Sequence, residues 1–180
     1  MDPIAVVLDT SAILRMYGEI IRNELTDKLG VDKLHYYTTN GVLNEIKSHK
    51  LRVSFMVVRE KITILEPTRE SLSIVLKKAK SYGCMAKLSD QDMEIVALAV
   101  DMTRRYHRVI VATGDMAIQN ICILMGIDVL SVSKKMTYLL MKQKVCLDCG
   151  TIYSIFDEEC PKCFSVKCKV IERKIRIKGG

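Results

Sequence analysis

The sequence predicts an α/β fold, a parallel sheet flanked by helices, with a small cysteine-rich module at its C-terminal end. Two patterns carry that prediction. Up to about residue 130, short β-prone runs alternate with longer stretches of helical periodicity, as in strand–helix–strand units with right-handed crossovers. Beyond residue 145, two Cys-x-x-Cys pairs stand ten residues apart, a spacing that suits a metal-held hairpin. A chain of 180 residues has room for one full-size core and an appendage of this kind.

Taken in order, Ile4 to Leu8 is an unbroken apolar run, as expected of a strand buried on both faces. Asp9-Thr10-Ser11 supplies three helix-capping residue types, and a helical pattern continues to about Leu29. Lys33 to Tyr37 suits a short strand. Thr38-Thr39 opens a helix carrying Val42, Leu43, Glu45 and Ile46, and a further helix covers Lys50 to Arg59. Lys61 to Leu65 reads as a strand stopped by Pro67, and Thr68 to Ser81 as a helix with Leu72, Val75, Leu76 and Ala79 on one face. Ser89 caps a long helix from Asp90 to about Arg105. Arg108 to Thr113 is the next strand, Gly114-Asp115 leads into a helix ending near Met125, and Asp128 to Leu130 is a last short strand. Ser131 to Lys144 reads as a connector, part helical. The tail from Val166 to Ile177 mixes apolar and basic residues as a half-exposed strand does. The expected division is a domain at 1–130, a linker at 131–144 and a cysteine module with a basic tail at 145–180.

Composition narrows the classes. With 49% hydrophobic residues, 9 Gly and 3 Pro, the chain is folded rather than disordered. No apolar run approaches the roughly eighteen residues of a membrane span. No secretory leader is visible, so the expectation is a cytoplasmic protein without a membrane partner. Seven cysteines in that setting argue against a disulfide framework. Cys84 and Cys122 read as small buried hydrophobes. Neither GxGxxG nor GxxxxGK[ST] occurs, which removes dinucleotide and P-loop sites. Charge is lopsided: residues 1–130 hold 17 Lys and Arg against 16 Asp and Glu, residues 131–180 hold 11 against 5. A basic segment beside a neutral domain points to a polyanion, although a solvated tail is the plainer alternative.

Four acids fall where this topology could gather them. Asp9 ends the first strand, Glu45 lies on an early helix, Asp92 is in the first turn of the long helix and Asp115 follows a later strand. Singly, each has an ordinary use as a cap, a dipole partner or a solvated residue. Together they would crowd negative charge at the carboxyl ends of parallel strands, where such sheets bind ligands. That crowding raises carboxyl pKa values unless a cation offsets it, and Mg²⁺ takes carboxylate oxygens while keeping waters. Asp90, next to Asp92, could replace or assist it. His35, His49 and His107 lie outside these places, which disfavours a histidine-pair ribonuclease.

The second constellation is Cys146-x-x-Cys149 with Cys160-Pro161-x-Cys163. Four thiolates in two tight turns suit tetrahedral Zn²⁺, and a closed thiolate site is structural rather than catalytic. Cys168 breaks the spacing and is read as a spare or a substitute ligand. So small a module draws its folding energy from the metal. Its basic residues Lys162, Lys167, Lys169, Arg173, Lys174, Arg176 and Lys178 would meet nucleic acid. Tyr153, Phe156 and Phe164 could stack on bases, with packing expected for at least two of them.

Val7-Leu8-Asp9-Thr10-Ser11, Glu45, Leu88-Ser89-Asp90-Gln91-Asp92 and Val111-Ala112-Thr113-Gly114-Asp115, in that order, resemble the motifs of PIN-domain nucleases. The likeness covers about residues 1–130. It implies that Asp9, Glu45, Asp92 and Asp115 hold one or two Mg²⁺ or Mn²⁺ ions, and that Thr10, Ser11, Ser89 and Thr113 orient them. Gly114 stands where relatives often carry a further acid. A PIN domain followed directly by a zinc ribbon resembles the Nin-one-binding protein family in its compact archaeal form. Tyr37-Thr38-Thr39 and Ile118-Gln119-Asn120 add to that likeness. The family implies an endoribonuclease that trims the 3′ end of small-subunit ribosomal RNA. Its partners would be precursor rRNA, the nascent small subunit and a KH-domain assembly factor. Two other readings stand beside it: a toxin-like PIN ribonuclease acting on tRNA or mRNA, and a non-catalytic RNA-binding scaffold.

Overall fold

A computed structural model describes residues 3–177. Five parallel strands, β1 (Ile4–Leu8), β2 (Leu34–Thr38), β3 (Ile62–Ile64), β4 (Val109–Thr113) and β5 (Asp128–Ser131), form one sheet in the order β3-β2-β1-β4-β5. Every residue of β1 and β4 is buried, because helices cover both faces of a parallel sheet. The chain runs outward from β1 to β3 and then returns to the other side of β1 with β4. That reversal opens a crevice at the carboxyl ends of β1 and β4.

The helices are α1 (Thr10–Arg22), α2 (Glu24–Leu29), α3 (Asn40–Asn44), α4 (His49–Val58), α5 (Arg69–Ser81), α6 (Asp90–Thr103) and α7 (Met116–Leu124). Several begin at residues read from the sequence as helix starts, whereas Ser48, which caps α4, is not among them. Asp9, Thr39, Ser48, Thr68, Ser89 and Asp115 each accept a hydrogen bond from a first-turn amide, which satisfies donors that the helix itself cannot. Helix α6 buries Ile95, Val96, Ala97, Leu98, Ala99 and Met102, so it packs on several sides at once. No helix among the described residues is long and apolar enough to cross a membrane.

Three expectations change. The single helix expected from residue 10 to 29 is two, because Asn23 adopts the left-handed conformation (φ 56°) and its N–H caps the Glu19 carbonyl. Asparagine tolerates that conformation better than most residues, and nothing in apolar spacing reveals it. The helix expected to carry Glu45 stops at Asn44 and leaves Glu45 as its C-cap. The connector expected to be part helical contains β6 (Tyr138–Cys146). This strand pairs antiparallel with β7 (Ile152–Ser154) and, over its whole length, with β8 (Cys168–Arg176), giving the order β7-β6-β8. Nine cross-strand pairs decide its conformation, and they are contacts with residues some thirty positions away.

Candidate active site and metal centre

Sheet register brings the first and last acids together. Leu8 pairs with Ala112, so Asp9 and Thr113 leave adjacent strands side by side. Asp9 is 7% exposed. Its Oδ1 accepts from the Ala12 amide at 2.7 Å and the Ser11 hydroxyl at 2.8 Å, and its Oδ2 accepts from the Thr113 hydroxyl. Ser11 Oγ in turn accepts from the Gly114 amide at 2.7 Å, and Thr113 Oγ1 accepts from the Asp115 amide at 2.9 Å. Two hydroxyls thus lock the turn after β1 to the turn after β4. Burial pushes the Asp9 carboxyl above its ordinary pKa and the charge of Asp115 adds to that, while hydrogen bonds from Thr113, Ala12 and Ser11 work in the opposite direction.

One cleft of about 400 Å³ is lined by Asp9, Thr10, Ser11, Glu45, Asp92 and Asp115, with Leu14, Val42, Gln91, Ile95 and Ile118 as its other walls. Glu45 accepts a hydrogen bond from the Thr10 hydroxyl. Asp92 Oδ2 accepts from the Ser89 amide at 2.8 Å, half of a reciprocal capping box. Asp115 Oδ1 caps α7 through Ala117 and Ile118 at 2.5 and 3.3 Å. Each of these three carboxylates therefore has one oxygen tied in place. The second has no protein partner among the described residues. The acids share the cleft without touching: outside the cysteines, no three His, Cys, Asp or Glu ligand atoms among the described residues lie within 4.8 Å of one another. An all-oxygen donor set around a buried, destabilised carboxylate fits a hard divalent cation.

Asp90 and Asp92 separate cleanly. Two positions along a helix turn the side chain by about 200°, so neighbours of this kind cannot share a face. Asp92 lines the cleft and Asp90 is exposed elsewhere. Ser89 acts on Asp92 through its backbone N–H and lies outside the lining. Gly114 is tightly enclosed: a Cβ there would meet the hydroxyls of Ser11 and Ser133 at 3.0 Å each, so a side chain at this position requires both hydroxyls to give by a few tenths of an ångström. Gln91 lines the cleft and was not singled out from sequence. Its place between Asp90 and Asp92 is the only signal that could have marked it.

The four cysteines Cys146, Cys149, Cys160 and Cys163 bring their sulfurs within 4.8 Å of one another. The nearest approaches are 3.4 to 3.6 Å, close to the roughly 3.8 Å expected between thiolates on a tetrahedral ion with metal–sulfur bonds of about 2.3 Å. All seven cysteines are free of disulfides. Hydrogen bonds with the Thr151 hydroxyl and backbone draw the Cys149 thiol down to about 6, whereas at Cys163 the lowering effect of a backbone hydrogen bond at Ser165 is outweighed by the neighbouring thiols and burial, which push it up to about 12. Cys168 pairs with Cys146 across β6 and β8 and packs on the cluster, outside the ligand group. Cys84 and Cys122 are buried.

The basic residues expected to act as one surface divide. Strand alternation sends Lys169 and Arg173 to one face of β8 and Lys174 and Arg176 to the other. Lys162 and Lys167 are exposed near the second knuckle, and Lys178 lies outside the described residues. Of the aromatics, only Tyr153 packs. Phe156 and Phe164 are 52% and 70% exposed, because the ribbon's buried cluster is no larger than Cys146, Tyr153 and Cys160.

Residues 6–102, more than half the chain, match the family described as PIN domain of ribonuclease. An Endoribonuclease Nob1 of Methanocaldococcus jannaschii is 31% identical over 176 residues, covering 96% of this chain and 81% of that protein. An Endoribonuclease Nob1 of Pyrococcus abyssi is 28% identical over 144 residues, covering 78% of this chain and 86% of that protein. A Ribonuclease VapC3 of Aeropyrum pernix is 27% identical over 127 residues, covering 69% of this chain and 84% of that protein. The nuclease fold is common to all of these, but the similarity that extends along almost the whole sequence is to Nob1. The chain therefore belongs to the PIN-domain ribonucleases and, among them, to the Nob1 endoribonuclease family.

Proposed function

We propose that this endoribonuclease hydrolyses a phosphodiester in precursor small-subunit ribosomal RNA, maturing its 3′ end, and depends on a divalent metal ion. The observation that carries the metal dependence is the shared cleft of Asp9, Glu45, Asp92 and Asp115 at the carboxyl ends of β1 and β4. Mg²⁺ or Mn²⁺ held by these acids would activate a water and screen the charge that builds on the phosphate. The chain's own part is orientation. Ser11 and Thr113 aim Asp9, Thr10 aims Glu45, the Ser89 amide aims Asp92, and the start of α7 aims Asp115.

In this reading residues 1–130 cut and the cysteine module at 145–180 holds RNA. Zn²⁺ on the four thiolates gives the ribbon its folding energy. The exposed rings of Phe156 and Phe164 stack on unpaired bases, and the lysines and arginines of β8 and the second knuckle meet phosphates. The choice of ribosomal RNA, the nascent small subunit and a KH-domain factor as partners rests on family membership together with the basic C-terminal segment. A toxin-like ribonuclease would account for the α/β domain alone and leave the ribbon without a task.

Cleavage of an RNA spanning the small-subunit 3′ end, with and without Mn²⁺, tests the proposal against Asp9→Asn. The wild type cuts only with the ion, and the variant binds the RNA as tightly but does not cut. Binding by both forms with cleavage by neither would establish a scaffold instead.

A further inference from the structure

Gln119 and Asn120, on the second turn of α7, are 1% and 4% exposed, and neither lines the acidic cleft. Gln119 bridges the end of β5 and the segment that follows it, and Asn120 grips the backbone of β6 in the ribbon. Gln119 donates to the Ser131 hydroxyl at 3.2 Å and the Lys134 carbonyl at 3.1 Å, and accepts from the Met136 amide at 3.1 Å. Asn120 donates to the Leu140 carbonyl at 2.9 Å and accepts from the Leu140 amide at 2.8 Å. A buried carboxamide with both ends paired to one residue of a strand imitates the next strand of a sheet.

Strand geometry explains why that strand needs it. In an antiparallel ladder alternate residues send their N–H and C=O to the same edge. Along the edge of β6 away from β8, Cys146 donates to Thr151 at 2.9 Å and Lys144 pairs with Tyr153 of β7. There β7 ends. The next two positions on the same edge belong to the α/β domain: the Lys142 amide donates to the Tyr82 carbonyl at 3.1 Å, and Asn120 takes both groups of Leu140. Gly83 (φ +65°) permits the approach, since a Cβ there would stand 2.6 Å from Lys142 Cβ and 3.2 Å from its carbonyl. One edge of the ribbon sheet is thus completed by α7 and the turn after α5.

We propose that Asn120 and Gln119 are positioning residues that hold the ribbon at a set place on α7, so that RNA bound by the ribbon enters the cleft in one register. Helix α7 is capped at its start by Asp115, whose carbonyl accepts the Gln119 amide at 3.0 Å. Asn120 lies five residues further on, about 7.5 Å along the axis. The element that aims a cleft acid therefore also carries the dock for the RNA-holding module. This rests on the reading that the ribbon binds RNA, so the test separates docking from cutting.

The zinc-loaded full chain is compared with Asn120→Ala, which loses both bonds to Leu140, and with Gly83→Ala, which disturbs the dock from the far side and leaves α7 alone. Two RNAs are used: a single-stranded oligonucleotide too short to reach the ribbon, and a long RNA spanning the small-subunit 3′ end. Both variants should cut the short RNA at the wild-type rate. On the long RNA they should spread cleavage over several neighbouring phosphodiesters where the wild type cuts at one. Amide exchange at Leu140 should quicken by roughly tenfold or more in Asn120→Ala, with the cysteine knuckles unchanged. Unaltered cleavage position in both variants would overturn the role in registration. Equal loss on the short RNA would make Asn120 a support of α7 and overturn it too. A wild type that cuts neither RNA would sink the nuclease reading and the registration with it, whereas unchanged exchange at Leu140 would sink the dock alone.

Discussion

Asp9 shows what one side chain needs in order to stay useful while buried. Its carboxylate accepts from an amide and two hydroxyls, and that support offsets part of the burial cost that raises its pKa. Thr113 is the more informative target, since its hydroxyl serves Asp9 and the Asp115 amide at once. Thr113→Val should lower cleavage by about 10- to 100-fold while leaving the far-UV circular dichroism unchanged, as losses of ligand-orienting partners do. A variant that cuts at the wild-type rate would remove Thr113 from the machinery. Asp101 supplies the stability counterpart. It is 8% exposed and accepts from the Thr68 amide at 2.6 Å, the Thr68 hydroxyl at 2.8 Å and the Ser71 hydroxyl at 2.7 Å. Burial opposes its charge, but these bonds and Arg104 outweigh burial and hold its pKa below the ordinary value. A depressed folded pKa stabilises above the ordinary carboxylate range and is lost as pH falls through the folded value. Asp101→Asn should therefore cost about 2 kcal/mol at neutral pH. The gap from wild type in denaturant titrations should close on acidification below about pH 4.

At the level of elements, the caps were legible and the interruptions were not. Ser89, Thr68 and Asp115 announce their helices because a capping side chain and its amide are neighbours in sequence. The break at Asn23 depends on a single left-handed backbone conformation that apolar spacing does not encode, and the early end of α3 at Asn44 is likewise invisible in that spacing. The Ser89 cap carries a double duty, since the box that starts α6 also fixes the Asp92 carboxylate. Ser89→Ala should lower stability by about 1 kcal/mol and leave cleavage nearly intact, because Asp92 is held by the backbone N–H that alanine keeps. Ser89→Pro removes that N–H, and a fall in cleavage beyond its loss of stability would separate the two duties. Equal cleavage per folded molecule in both variants would deny Asp92 its dependence on the box.

Across the molecule, two modules fold by different means and meet along α7. The α/β domain rests on a continuous apolar core, while the ribbon buries little beyond Cys146, Tyr153 and Cys160. Removing zinc from the zinc-loaded chain with a chelator should therefore melt residues 146–168 and spare the five-stranded sheet, which two-dimensional amide spectra would record. Simultaneous loss of both sets of resonances would mean that the ribbon supports the nuclease core. Alanine at Phe164, 70% exposed, should weaken binding of single-stranded RNA by about 1–3 kcal/mol without altering the fold. An unchanged affinity would place the RNA elsewhere.

Local chemistry in the sequence determined the parallel α/β order, most of the capping residues and the four-cysteine cluster, because each signal lies within a few neighbouring residues. Tertiary structure alone decided the rest. Register set Asp9 beside Thr113, helical phase put Asp92 in the cleft and Asp90 outside it, and pairing with β8 turned the connector into β6. Strand alternation split the basic residues, and Asn120 joined an edge left open where β7 ends. In each case the deciding contact lies with a residue far along the chain or on a particular face, and residue type and local spacing do not specify such contacts.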